Sequence, residues 1–136
     1  MIQLILHLLG DYVTQSDWMA QKKTSSSWAA LCHATVYSLP FLFIGSIPAV
    51  LVIWSTHFLI DRFRLARYVC WAKNFLAPRW IKDPMFPRFD KRNHDWANCA
   101  GTGYHKDSPA WLSVWLMIAA DNTLHLAINY ASLAFL

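Results

Sequence analysis

Lysine and arginine are absent from three long stretches of this chain, 1–21, 24–61 and 107–136, and this absence limits what the chain can fold into. All twelve cations fall in two windows. Lys22 and Lys23 form the first; Arg62, Arg64, Arg67, Lys73, Arg79, Lys82, Arg88, Lys91, Arg92 and Lys106 form the second. The cation-free stretches can be cut into segments near the roughly 20 apolar residues that a helix needs to cross a bilayer. Composition agrees: 56% of the 136 residues are hydrophobic and 15% charged, against about 45–50% and about 25% in soluble domains. Disorder, collagen-like repeats and a disulfide-stapled miniprotein are excluded. A specific nucleic-acid partner is not expected, despite a net charge of +4.

The pattern predicts a single all-α membrane domain over 1–136, with four transmembrane helices at about 1–20, 28–44, 47–65 and 109–136. Gly45-Ser46-Ile47-Pro48 supplies a tight turn between the second and third. Pro40 is expected to kink the second span rather than end it. Ser108-Pro109 suits the start of the fourth, as a cap and first-turn pair. Four spans put the Lys22-Lys23 loop and a long basic loop, about 66–108, on one side. The positive-inside rule makes that side the cytoplasm of a bacterial inner membrane, with both termini periplasmic. The first segment has neither the basic start nor the cleavage site of a secretory signal, and is expected to be retained. A soluble helical bundle with an apolar core is the alternative. Cys32, Cys70 and Cys99 are odd in number and fall on the cytoplasmic side, so no disulfide is expected.

Histidine and aspartate recur inside the apolar segments at a spacing of four: His7 with Asp11, His57 with Asp61, and Asp121 with His125. That spacing places both side chains of a pair on one helix face. Gln15 and Asn129 extend two of these ladders by a turn, and the second segment contributes His33 with Tyr37. An ionised aspartate near a bilayer centre costs roughly 2.5–3.5 kcal/mol, so three cost on the order of 8–10. Buried ion pairs often only break even against desolvation. A structural zinc ion binds with about 10–16 kcal/mol, enough to offset the cost.

His7, Asp11, His33, His57, Asp61, Asp121 and His125 are therefore the candidate ligands of one or two divalent ions, zinc, manganese or iron. Gln15, Asn122 and Asn129 are the candidates to orient them. Such an ion lowers the pKa of bound water and polarises a phosphoryl or carbonyl oxygen. Whichever aspartate is left uncoordinated, Asp61 or Asp11, would then act as general base. Arg62, Arg64 and Arg67 lie at the rim, where basic residues commonly anchor helix ends; Arg62, next to Asp61, is the candidate for binding a phosphate or headgroup.

In the basic loop, Trp71, Trp80 and Trp96 with Phe75, Phe86 and Phe89 suggest interfacial anchoring. His94, Cys99 and His105 match no familiar zinc spacing. Gly101-Thr-Gly103-Tyr104 reads as a turn, because it lacks the strand and the Lys-Ser/Thr of a phosphate loop.

The blocks His7-Leu-Leu-Gly-Asp11-Tyr-Val-Thr-Gln15-Ser-Asp17-Trp18, His33 with Tyr37-Ser-Leu-Pro40, His57-Phe-Leu-Ile-Asp61-Arg62, Gly101-Thr-Gly103-Tyr104 and Asp121-Asn122-Thr-Leu-His125-Leu-Ala-Ile-Asn129-Tyr130 resemble a family of small bacterial and phage membrane proteins of unknown function. The ladders alone are similar to those of membrane-bound metal-dependent hydrolases. The second resemblance implies a metal-hydrolase role for His7, Asp11, His57, Asp61, Asp121 and His125. The phage association implies work at the host inner membrane, in exclusion of competitors or modification of the envelope.

The function expected first is metal-dependent hydrolysis of a phosphoester or related bond in a lipid or lipid-linked substrate. An ion or proton relay, as a homo-oligomer, is the second expectation. A non-enzymatic interaction protein, such as a phage exclusion factor, is the third.

Overall fold

The computed structural model describes residues 1–76, Tyr104 and 109–136. Helix α1 (Ile2–Leu8) runs into a π turn over Leu9–Val13, and α2 spans Asp17–Lys22. Helix α3 (Ser27–Ser38) passes into a 3-10 turn at Leu39–Phe43. Then come α4 (Ile47–Phe63), α5 (Ala66–Leu76) and α6 (Ala110–Phe135). The expectations for Trp80, Phe86, Phe89, His94, Trp96, Cys99, Gly101, Gly103 and His105, and for the side chain of Phe75, lie outside the described residues.

Serine sets three of the helix starts. Ser16, Ser26 and Ser46 stand before α2, α3 and α4, and each hydroxyl accepts from the backbone N–H three residues on, at Met19, Ala29 and Ala49. Such caps satisfy one of the donors that a helix start leaves without a partner. Pro48 follows in the first turn of α4, where its missing N–H costs nothing. Arg64, with φ 48°, ends α4 in the left-handed region.

The four membrane spans expected from the apolar runs are not found. At 1.5 Å per residue, the stretch Ile2–Val13 reaches about 18 Å, α3 about 18 Å and α4 about 25 Å, short of a hydrocarbon core of about 30 Å. The first apolar run breaks between Val13 and Asp17. In the second, α-helix stops at Ser38 and Pro40 opens the 3-10 turn, so the proline ends the helix instead of kinking it. Among the described residues one helix is long and apolar enough to cross a membrane: Trp111–Phe135, 25 residues with mean hydropathy 1.2. The topology with both termini periplasmic falls with the four spans. Part of the expected basic loop is also helical, as α5.

The chain divides into two compact units, Met1–Arg64 with Asn122–Leu136, and Leu65–Asp121. In the first, Tyr37, Phe41, Val50 and Ile53 form the apolar core, with Leu6 and Leu133 against it. Buried positions on α3 (Ala29, Ala30, His33, Ala34, Tyr37, Ser38) and on α4 (Ala49, Val50, Ile53, His57, Ile60, Asp61) recur at three and four residues. Each helix thus turns one face inward, and the alanines on those faces leave room for backbones to approach. From α6, this unit buries His125, Asn129 and Ser132, while Tyr130 and Phe135 are exposed. Polar groups inside and apolar groups outside reverse the usual order of a water-facing helix. In the second unit Cys70 is buried, and burial pushes its thiol up. Cys32 and Cys70 are free thiols.

Candidate metal centre

The buried faces of α3 and α4 and the π turn after α1 bring His33, His57, Asp61 and Asp11 together. All four are within 8% of full burial. The π turn carries Gly10 and Asp11. A Cβ on Gly10 would lie 2.3 Å from Cδ2 of Tyr37, so glycine is what lets the tyrosine ring pass against the turn. Tyr37 in turn stacks on His57, with ring centroids 3.6 Å apart at 18°. Packing therefore holds the His57 ring, whose Nδ1 has no hydrogen-bond partner; His33 Nδ1 has none either.

The other nitrogens of these two rings point at one place. His33 Nε2 lies 3.0 Å from His57 Nε2, 3.2 Å from Asp11 Oδ1 and 3.1 Å from Asp61 Oδ2. His57 Nε2 lies 3.4 Å from Asp11 Oδ1 and 3.2 Å from Asp61 Oδ2. Lys23 Nζ closes in at 3.0 Å from Asp61 Oδ2 and 3.4 Å from His33 Nε2. An imidazole nitrogen offers one proton or one lone pair, so His33 Nε2 faces more partners than a single hydrogen bond can satisfy. Among the described residues two groups of side chains could hold a metal ion: Asp11, His33 and His57, and His57, Asp61 and His125.

The pairs predicted from spacing behave differently. His7 Nδ1 lies 3.4 Å from Asp11 Oδ2, and His57 and Asp61 also meet. Asp121 is half-buried, belongs to the second compact unit and is in neither ligand group. His125 Nε2 lies 3.6 Å from Asp61 Oδ1, and its ring sits 4.1 Å from that of His57.

His7 has both ring nitrogens engaged: Nδ1 with Tyr37 Oη and Nε2 with Asn122 Oδ1, each at 2.8 Å. An amide oxygen only accepts, so Nε2–H donates to Asn122 and the Tyr37 hydroxyl donates to Nδ1. Asn129 Nδ2 donates to Tyr37 Oη at 2.7 Å, and Asn122 Nδ2 to Tyr12 Oη at 2.8 Å. Asn122 and Asn129 thus hold the wall of the site, whereas Gln15 Oε1 has no hydrogen-bond partner. Arg62 turns away to brace the chain after α2, donating from Nη1 to the Thr24 carbonyl and from Nε to Ser27 Oγ.

Electrostatics follow from this crowding. Burial pushes Asp61 up, but the imidazoles of His125, His33 and His57 beside it outweigh this and hold the carboxyl well below the usual range. Asp11 is lowered in the same way: burial opposes, and His33 with the charges of His57 and Lys23 prevails. For His33 burial is outweighed by Asp11 and Asp61, which raise it. For His57 burial wins and brings the ring down to about 4, so it is neutral, as a metal ligand must be. Sequence reasoning missed Lys23, which reads as half of an anchoring Lys-Lys pair; nothing in the spacing shows that one lysine turns inward.

A family model described as a protein of unknown function (DUF3307) matches residues 1–83. The match fits the resemblance to a family of unknown function and carries no membrane or phage context. It includes Asp11, Lys23, His33, His57 and Asp61, and stops short of α6. No curated protein and no solved structure matches the chain.

Proposed function

We propose a function from the site itself, because the chain belongs to the DUF3307 family, whose description gives no activity. The protein binds one divalent transition-metal ion, zinc by preference, on Asp11, His33 and His57, and uses it for hydrolysis. One observation carries this reading. Asp11 Oδ1, His33 Nε2 and His57 Nε2 form a triangle with sides of 3.0, 3.2 and 3.4 Å. Zinc bonds of 2.0–2.1 Å in tetrahedral geometry require ligand atoms about 3.3–3.4 Å apart. The triangle is nearly one face of that tetrahedron, and three protein ligands with a fourth position open is the pattern of catalytic rather than structural zinc.

When bound, the ion supplies Lewis acidity and a water acidified towards neutrality. Asp61, buried against both imidazoles and kept ionised by its neighbours, would accept a proton at its carboxylate as general base. His125, beside the far oxygen of Asp61, orients the carboxylate. His7, held by Tyr37 and Asn122, packs beside Asp11. The bond cleaved is a phosphoester or a related one. Its carrier is a lipid or lipid-linked molecule; an open apolar groove of about 230 Å³ lined by Leu39, Leu42, Val50, Leu51 and Trp54, none of them part of the centre, is a surface that such a molecule would meet.

The test combines zinc titration with turnover of a chromogenic phosphodiester. The wild type takes up one zinc per chain; His33→Ala and Asp11→Ala each lose at least about a hundredfold in affinity. Asp61→Asn keeps its zinc and loses about 10²–10⁴ in rate, the usual weight of a general base. Wild-type protein that takes up no zinc contradicts the metal centre. Full turnover in Asp61→Asn contradicts the role given to Asp61.

A further inference from the structure

Lys23 is the one cation that touches the cluster among the described contacts, and the reading above gives it no task. It is also the most open of the groups there. Its side chain is 18% exposed, against 9% for Asp11, 3% for Asp61 and 1% or less for His33 and His57. It stands just past α2, where its backbone N–H caps the helix on the Met19 carbonyl, and Arg62 pins the following residues through Thr24 and Ser27. The backbone around Lys23 is therefore anchored, so any displacement of its ammonium falls to the side chain.

The contact with His33 decides the matter. Lys23 Nζ stands 3.4 Å from His33 Nε2 and 3.0 Å from Asp61 Oδ2, so the ammonium occupies the space in front of the nitrogen that would hold an ion. Ligation of an ion by His33 Nε2 places the ion in that same space, and it adds a second positive charge beside Nζ. The arrangement seen and ligation through His33 exclude each other. We propose, resting on the reading of the centre above, that Lys23 is a built-in competitor for the metal. Its ammonium holds Asp61 and His33 until an ion displaces it, and the displaced side chain swings outward. Lys23 thereby sets the ion concentration at which the centre fills.

Zinc affinity of the full chain, measured against a competing chelator, tests this. Lys23→Gln binds zinc about tenfold more tightly than wild type, about 1.4 kcal/mol. Lys22→Gln loses the same charge from an exposed neighbour and stays within about twofold. Unchanged affinity in Lys23→Gln, or an equal gain in Lys22→Gln, overturns the proposal.

A second readout needs no variant. Acetylation of wild-type protein by an amine reagent, followed by mass spectrometry, speeds up several-fold at Lys23 when zinc is added, with Lys22 as the internal reference. A Lys23 rate that zinc leaves unchanged overturns the proposal. Wild-type protein that binds no zinc fails earlier, at the centre itself, and is distinguished by the titration alone.

Discussion

At the scale of single residues, two histidines of the cluster carry opposite consequences for pH. His57 sits at about 4 because burial penalises its charge. An unfolded chain therefore binds a proton that the folded chain refuses, and stability falls as pH drops from about 6.5 to about 4, by about 3 kcal/mol from this group. His33 is raised by Asp11 and Asp61, so its contribution is complete below 6.5 and is lost as pH rises through its folded value. The depressed carboxylates of Asp11 and Asp61 contribute above the ordinary carboxylate range and lose that contribution only under stronger acid. Urea unfolding with a chelator present, at a series of pH values, separates these effects. His57→Gln loses the decline between about 6.5 and 4; a variant with the wild-type slope contradicts the assignment. Tyr37→Phe leaves His7 Nδ1 and Asn129 Nδ2 short of a partner and costs about 1–3 kcal/mol by the same assay.

At the scale of elements, the π turn matters most. It places Asp11 beside two imidazoles from other helices, and such turns often occur at functional sites. Gly10→Ala drives a Cβ into Tyr37, costing about 1–3 kcal/mol. The strain reaches His57 through the stacked ring, so zinc affinity falls together with melting temperature. A lower melting temperature with unchanged zinc affinity contradicts that coupling.

Much of the element pattern was legible in the chain. The spacing of four put His57 with Asp61 and His7 with Asp11, and of the expected turn at Gly45-Ser46-Ile47-Pro48 the first two residues form the break while Ile47 and Pro48 already belong to α4. The span count was not legible, because apolar composition does not reveal where the backbone leaves the α-helix. Thr14–Ser16 and the 3-10 turn at Pro40 interrupt runs that are continuous in hydropathy. The placement of Asp121 and the inward turn of Lys23 depend on contacts between elements remote in sequence, which periodicity within one helix cannot express.

At the scale of the whole molecule, the family match and the cluster coincide over the first part of the chain, since residues 1–83 hold the ligand triangle. Helix α6 adds His125, Asn122 and Asn129 from beyond that match. Its inward polar face and outward apolar residues suit a surface that meets apolar partners more than water. The central claim is narrower than this: one carboxylate and two imidazoles, from three separate elements, meet at the ligand spacing of a tetrahedral ion. X-ray absorption at the zinc edge of the loaded protein tests it most directly. The account predicts a shell of nitrogen and oxygen only, at about 2.0–2.1 Å, with the outer-ring scattering of two imidazoles that disappears in part in His33→Ala. A sulfur shell at about 2.3 Å, or a six-oxygen shell without imidazole, contradicts it.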